Sequence, residues 1–150
     1  MTDIPEPSTY CMLPGGTKFL FGAVDAEAAA MKQLKDAIAI GATGKQTNFT
    51  GCTRLLDKQE KSMAGLAPSP DKQFGFHDDV DDKDMQEFLD AAEAGETKKV
   101  RIEYPNKRYA EMIIVLGGWE HTEPDSNTPM GIVVYGKQND IKRGKIPPPV

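Results

Sequence analysis

Between Asp78 and Trp119 the spacing of apolar residues switches once, from helical to alternating, which predicts a helix running straight into a β-hairpin. Met85, Phe88, Leu89 and Ala92 recur at i, i+3, i+4 and i+7, so one apolar stripe runs along an otherwise acidic helix expected over 82–94. Asp78, Asp79, Asp81, Asp82 and Asp84 crowd its start, where carboxylates cap free N–H groups and favour the positive end of the helix dipole. Gly95 is placed to end it. Beyond it, Val100, Ile102 and Tyr104 alternate with Lys99, Arg101 and Glu103, the pattern of a half-buried strand. Pro105-Asn106 makes the turn, Tyr109–Leu116 is the return strand, and Met130–Gly136 is a last strand.

Upstream the pattern is less regular. Thr17–Val24 reads as a first strand, rich in aromatic and branched side chains. The run from Asp25 to Gly41 is dominated by strong helix formers, so propensity favours a helix over 25–35. Its far end also alternates, which favours a strand leading into the turn at 41–44. Lys45–Leu56 suits a strand, 57–71 is polar with Gly65, Pro68 and Pro70 and reads as a long loop, and Gln73–Phe76 is a short strand. Prolines 5, 7 and 14 followed by Gly15-Gly16 make 1–16 an extended arm. The expected organisation is therefore an arm (1–16), one mainly β domain (17–139) and a basic, proline-rich tail (140–150).

At 150 residues there is room for a single modest core. No apolar run approaches the roughly 20 residues of a membrane-spanning helix, so no membrane insertion is expected. The acidic, proline-containing start does not read as a secretory signal, and Cys11 and Cys52 are expected to stay reduced. The net charge of -5 is unevenly spread: 77–96 carries nine acidic side chains and one lysine, leaving an excess of +3 elsewhere, concentrated in Lys98–Arg108 and Lys137–Lys145. Such opposed patches are either solvated surface or self-complementary faces that favour head-to-tail association. No net basic face supports a grip on duplex DNA.

The candidate chemistry is thin. His77, Asp78, Asp79, Asp81, Asp82 and Asp84 lack the glycine and distal glutamate of a calcium loop and the second His or Cys of a zinc site, so capping is the better reading. Gly15-Gly16 and Gly117-Gly118 lack a phosphate-loop lysine, and no serine or cysteine sits in a nucleophile elbow. No catalytic residue, metal or cofactor is expected. Trp119 reads as a core or interface anchor.

Taken in order, these pieces resemble the major tail tube proteins of long-tailed bacteriophages, which are related in fold to the type VI secretion tube protein. The resemblance runs over about 33–139: a strand ending near Ile40, the stretch Thr53-Arg54-Leu55-Leu56-Asp57, a polar loop with Ala64-Gly65-Leu66, the strand Phe74–Phe76, the helix 82–94, then Gly95-Glu96-Thr97, VRIEYPN, a return strand and Gly117-Gly118. It implies strand rather than helix over 31–40, and a β-sandwich or barrel-like domain with one flanking helix. It also implies a structural virion protein whose rings of six stack into a hollow tube that delivers DNA to the host. The implied partners are copies of itself, a tape measure protein inside the tube, and tail terminator and tail-tip proteins, with DNA passing unbound and assembly in the host cytoplasm.

Within that reading, the loop bearing Asp57, Lys58, Glu60, Lys61 and Asp71 is expected to make the contact between rings. Asp81, Asp82 and Asp84 together with Lys142 and Arg143 are expected to make electrostatic contacts between neighbours. Two alternatives share the architecture, a tail terminator and a type VI tube subunit. A third belongs to another class, a small β-rich ligand- or nucleic-acid-binding module with Trp119 and Tyr104 on an exposed face.

Overall fold

The computed structural model describes residues 4, 6, 7, 12 and 14–147. Most of the expected arm and the closing residues 148–150 therefore lie outside the described residues, as does Cys11, while Cys52 is exposed and free. The strands are β1 (Lys18–Gly22), β2 (Lys32–Leu34), β3 (Ala37–Ala39), β4 (Phe49–Gly51), β5 (Ser62–Ala64), β6 (Asp71–His77), β7 (Thr97–Glu103), β8 (Arg108–His121) and β9 (Gly131–Lys145). One α-helix, α1 (Lys83–Ala94), lies between β6 and β7.

Seven strands form one sheet in the order β2-β1-β7-β8-β9-β6-β3, each neighbouring pair antiparallel. Its two edge strands are consecutive in the chain, with only Lys35 and Asp36 between them. The sheet must therefore curl until its edges meet at that corner, which makes a nearly closed, mainly β barrel with α1 flanking it. No helix among the described residues is long and apolar enough to cross a membrane.

The helix forms where its stripe predicts. Asp82 is the N-cap, its Oδ1 accepting from the backbone N–H of Asp84 (3.1 Å) and Met85 (3.4 Å). Gly95 ends the helix at φ 70°, a conformation that a side chain opposes, and Glu96 N–H donates to Ala91 O at 3.0 Å. Met85, Phe88, Leu89, Ala91 and Ala92 are buried. Phe88 packs edge-to-face with Phe19, Phe21 and Phe76 at centroid distances of 5.0–5.8 Å. Val100, Ile102, Met112, Ile114, Leu116, Ile132 and Val134 complete the core from β7, β8 and β9.

Elsewhere the structure corrects the sequence reading. Residues 25–35 are not an α-helix: a single 3-10 turn at Ala28–Ala30 leads into β2. Pairing decides this, because β2 lies against β1 with Phe19 opposite Leu34 and Phe21 opposite Lys32, which buries Leu34 and overrides helix propensity. The strand expected over 45–56 shrinks to β4, and the loop expected over 57–71 contains β5, which pairs back on β4, while Asp71 opens β6. The last strand runs to Lys145, so 140–145, expected in a tail, are ladder residues opposite β8.

Gly136 shows how tightly the long β8–β9 ribbon is packed. A Cβ there would lie 2.6 Å from Ile114 Cγ2 and 2.9 Å from Val115 O. Gly136→Ala is expected to destabilise the fold by about 1–3 kcal/mol through overpacking. A denaturant midpoint unchanged from wild type would refute that packing.

Candidate assembly surfaces

The arm β4–β5 projects from a barrel whose core is already complete. Phe49, Leu55, Leu56, Met63 and Leu66 on it are 73%, 106%, 87%, 57% and 88% exposed. Its strands pack substantially only on each other. A lone two-stranded hairpin is marginal in water, and this one carries its apolar side chains outward.

Local bonds shape the arm's tip. Asp57 Oδ2 accepts from Arg54 N–H at 2.8 Å, and Arg54 Nη2 donates to Asp57 Oδ1 at 3.0 Å. These bonds from Arg54, its side chain first and its backbone N–H next, hold the Asp57 carboxyl below its ordinary range. Asp57 is thus committed to the turn, whereas Lys58, Glu60 and Lys61 are exposed. Asp71 stands apart from them at the start of β6, 3.4 Å from Lys137.

A strap over 41–45 joins β3 to the arm and is pinned by side chains rather than by a ladder. Lys72 Nζ donates to Ala42 O at 2.6 Å, Gln138 Nε2 donates to Gly44 O at 3.0 Å, and Thr43 is hydrogen-bonded to the Tyr104 hydroxyl. Burial lowers the Lys72 pKa from its ordinary value. The turn expected at 41–44 is instead this extended strap, held by Lys72 and Gln138 from other strands.

Beside the strap opens a cleft of about 870 Å³, where β8 and β9 run on past the end of β6. Lys45, Arg108, Arg143 and Lys145 line it with Tyr104, Ala110 and Ile141, and no carboxylate among the described residues does. Along the same overhang, 140–145 pair with β8 on one edge only, and no described strand pairs with the other. Lys142 and Arg143 are separated by the pleat: Arg143 sits opposite buried Ala110 and lines the cleft, whereas Lys142 sits opposite Glu111 on the outer face.

On that outer face Lys99 and Arg101 are neutralised locally. Arg101 bridges Glu103 (2.9 Å) and Glu111 (2.5 Å), its guanidinium lies 3.9 Å from the centroid of the Tyr109 ring, and Lys99 lies 3.8 Å from Glu111. Two cations meet two carboxylates there.

The acidic residues cluster at the other end of the barrel. Asp36, Asp79 and Asp82 bring carboxylate oxygens within 4.8 Å of one another, and Asp36, in the two-residue β2–β3 corner, is the member that sequence reading missed. Its carboxyl is raised from its ordinary pKa by burial first and then by Asp79 and Asp82. Asp82 serves α1 as cap, Asp84 sits part-buried in the first turn, and Asp81 is exposed with its N–H donating to Asp79 Oδ1 at 3.1 Å. Trp119 is part-buried, its Nε1 donating to Glu93 at 2.9 Å and its ring edge-to-face with His121 at 5.1 Å, and Tyr104 is part-buried under the strap.

These surfaces sit on a fold shared with tube proteins. The extracellular contractile injection system PVC sheath–tube complex in its extended state superposes with a TM-score of 0.68 at 8% identity, covering 97% of this chain and 100% of that one. The SPP1 tail tube gives 0.62 at 15% identity, covering 87% and 78%, and the tail of an empty GTA particle gives 0.61 at 8% identity, covering 87% and 95%. No curated protein matches by sequence. Residues 12–146, however, match the phage tail tube protein family. The chain therefore belongs to that family and is a structural protein of the virion tail.

Proposed function

We propose that copies of this chain close into rings, six to a ring, that stack into the hollow tube through which DNA reaches the host. The observation that carries the reading is the arm: five large apolar side chains held in solvent by a domain that does not need them for its own core. A second copy is the natural cover, and a head-to-tail contact closes into a ring around one axis and stays open along it. The unpaired edge at 140–145 is a site where a neighbour's strand can continue the sheet. The GTA tail, a six-fold object, supports the ring number.

In this scheme the arm, with Lys58, Glu60 and Lys61 at its surface, reaches the next ring, and Asp57 and Asp71 act indirectly, through the turn and the base of β6. Asp81, Asp82 and Asp84 face basic residues of a neighbour, among them Lys142 and Arg143. The role is non-catalytic. Tape measure, terminator and tail-tip proteins are the other partners, and the tube is built in the host cytoplasm.

Negative-stain microscopy of the concentrated protein tests the reading. Long tubes are expected. Single rings would make it a terminator, and lone molecules at every concentration would overturn self-assembly. Reversing Lys142 and Arg143 together to glutamate should slow assembly about tenfold at low salt and flatten its salt dependence. Unchanged rates across salt would reject the electrostatic contact.

A further inference from the structure

We propose that the turn Asp79-Val80-Asp81 of one copy seats in the basic cleft of the next. This rests on the reading that copies of the chain assemble, and it names the two faces that meet.

The turn is exposed, and it presents acid, apolar and acid in succession, with Val80 itself 75% exposed. It is rigid, because Asp81 N–H donates to Asp79 Oδ1 and Asp82 N–H donates to Asp79 O. The cleft presents the complement: Lys45, Arg108, Arg143 and Lys145 surround a lining that includes Ala110 and Ile141. Four like charges, with no carboxylate among the described lining residues, repel one another until an anion enters. The turn carries two carboxylates flanking one apolar side chain, which matches both the charge and the apolar lining.

A chain cannot fill its own cleft this way. The turn follows His77, which lies opposite Gly131 at the start of β9, whereas the cleft gathers Arg143 and Lys145 near its end. From Gly131 to Arg143 is roughly 40 Å of strand at about 3.3 Å per residue. Donor and acceptor thus sit at opposite ends of one barrel. Such a pair joins different copies head to tail and does not close on itself.

The test is a charge swap. One variant carries Asp79→Lys and Asp81→Lys, the other Arg108→Glu, Arg143→Glu and Lys145→Glu, which leaves Lys45 as the one cation among the cleft's described lining residues and makes that lining net negative, each checked by circular dichroism for a wild-type fold. Each alone should raise the concentration needed for assembly by at least about tenfold, because like charges then face each other. An equimolar mixture should return to within about twofold of wild type, because each reversed face then meets its complement. Variants that assemble normally alone would overturn the inference and leave self-assembly standing. Variants that fail alone and also fail when mixed would overturn the pairing of these two faces. If millimolar inorganic phosphate blocks wild-type assembly and the mixture shows no rescue, the cleft belongs to a free anion instead. Failure of wild type itself to assemble would sink the underlying reading, a result readily told apart from the others.

Discussion

Phe88→Ala is expected to remove about 3–5 kcal/mol of stability, the range for deleting a buried aromatic from a packed core. The ring is fully buried and touches Phe19, Phe21 and Phe76 edge-to-face, so three further rings lose a partner at once. It is also the contact through which α1 closes on the strands: β1 supplies Phe19 and Phe21, and β6 supplies Phe76. A helix cannot slide inward to fill the gap while Asp82 caps one end and Leu116 N–H, bonded to Glu96 O, ties down the other. For a domain this size the loss corresponds to a melting temperature lower by roughly 10–15 °C. Phe49→Ala removes the same side chain where it is 73% exposed, and should change monomer stability by less than about 0.5 kcal/mol. A Phe88→Ala loss under about 1 kcal/mol would show that the barrel collapses around the cavity, contrary to this account of the core.

The two phenylalanines also show what was legible in advance. Around Phe88 the helix spells out its own period, carries its cap and ends on Gly95, so each local signal agrees with the fold, and 82–94 becomes Lys83–Ala94 with Asp82 as cap. The hairpin of β7 and β8 is equally plain, because Val100, Ile102, Met112 and Ile114 alternate inward without a break. Where pairing partners come from far away the signal fades. Residues 32–34 are a strand only because β1 lies beside them, and an alanine-rich approach hides it. The second half of β9 is obscured for another reason. A register shift lets Asp140 face Ile113 and Gln138 face Ile114, so the alternation slips where the residues turn polar, and strand reads as tail. Gly117 and Gly118 mark a second shift, between Leu116 and Trp119, and read as a strand's end when the strand continues to His121. The basic cleft draws residues from the strap, the β7–β8 turn and the end of β9, and Asp36 reaches the acidic cluster from a corner. Neither grouping has a linear spacing to find.

Removing the arm while leaving the barrel intact should abolish tube formation. The structure shows where to cut: Asn48 N–H donates to Leu66 O at 3.3 Å and Gly65 N–H donates to Asn48 O at 2.6 Å, so the arm's two ends already touch. Joining Asn48 to Gly65 through a two-residue Gly-Ser link shortens a loop without stretching the strap, and the closure entropy of the remaining chain falls slightly. No core residue is lost, because the buried cluster draws nothing from β4 or β5. The melting temperature should therefore stay within a few degrees of wild type, by a margin that separates this variant from Phe88→Ala. Assembly should respond oppositely. Full burial of one large apolar side chain contributes about 1.5–3 kcal/mol, so losing even two of the arm's five weakens association by more than about 100-fold. Leu55→Asp with Leu56→Asp keeps the arm's backbone and should give the same loss, because those two are the most exposed apolar side chains near its tip. Sedimentation and microscopy at concentrations where wild type forms tubes decide the matter. Tubes from the shortened chain would mean that the barrel's own edges and ends suffice, and that the arm's exposed side chains serve some other contact.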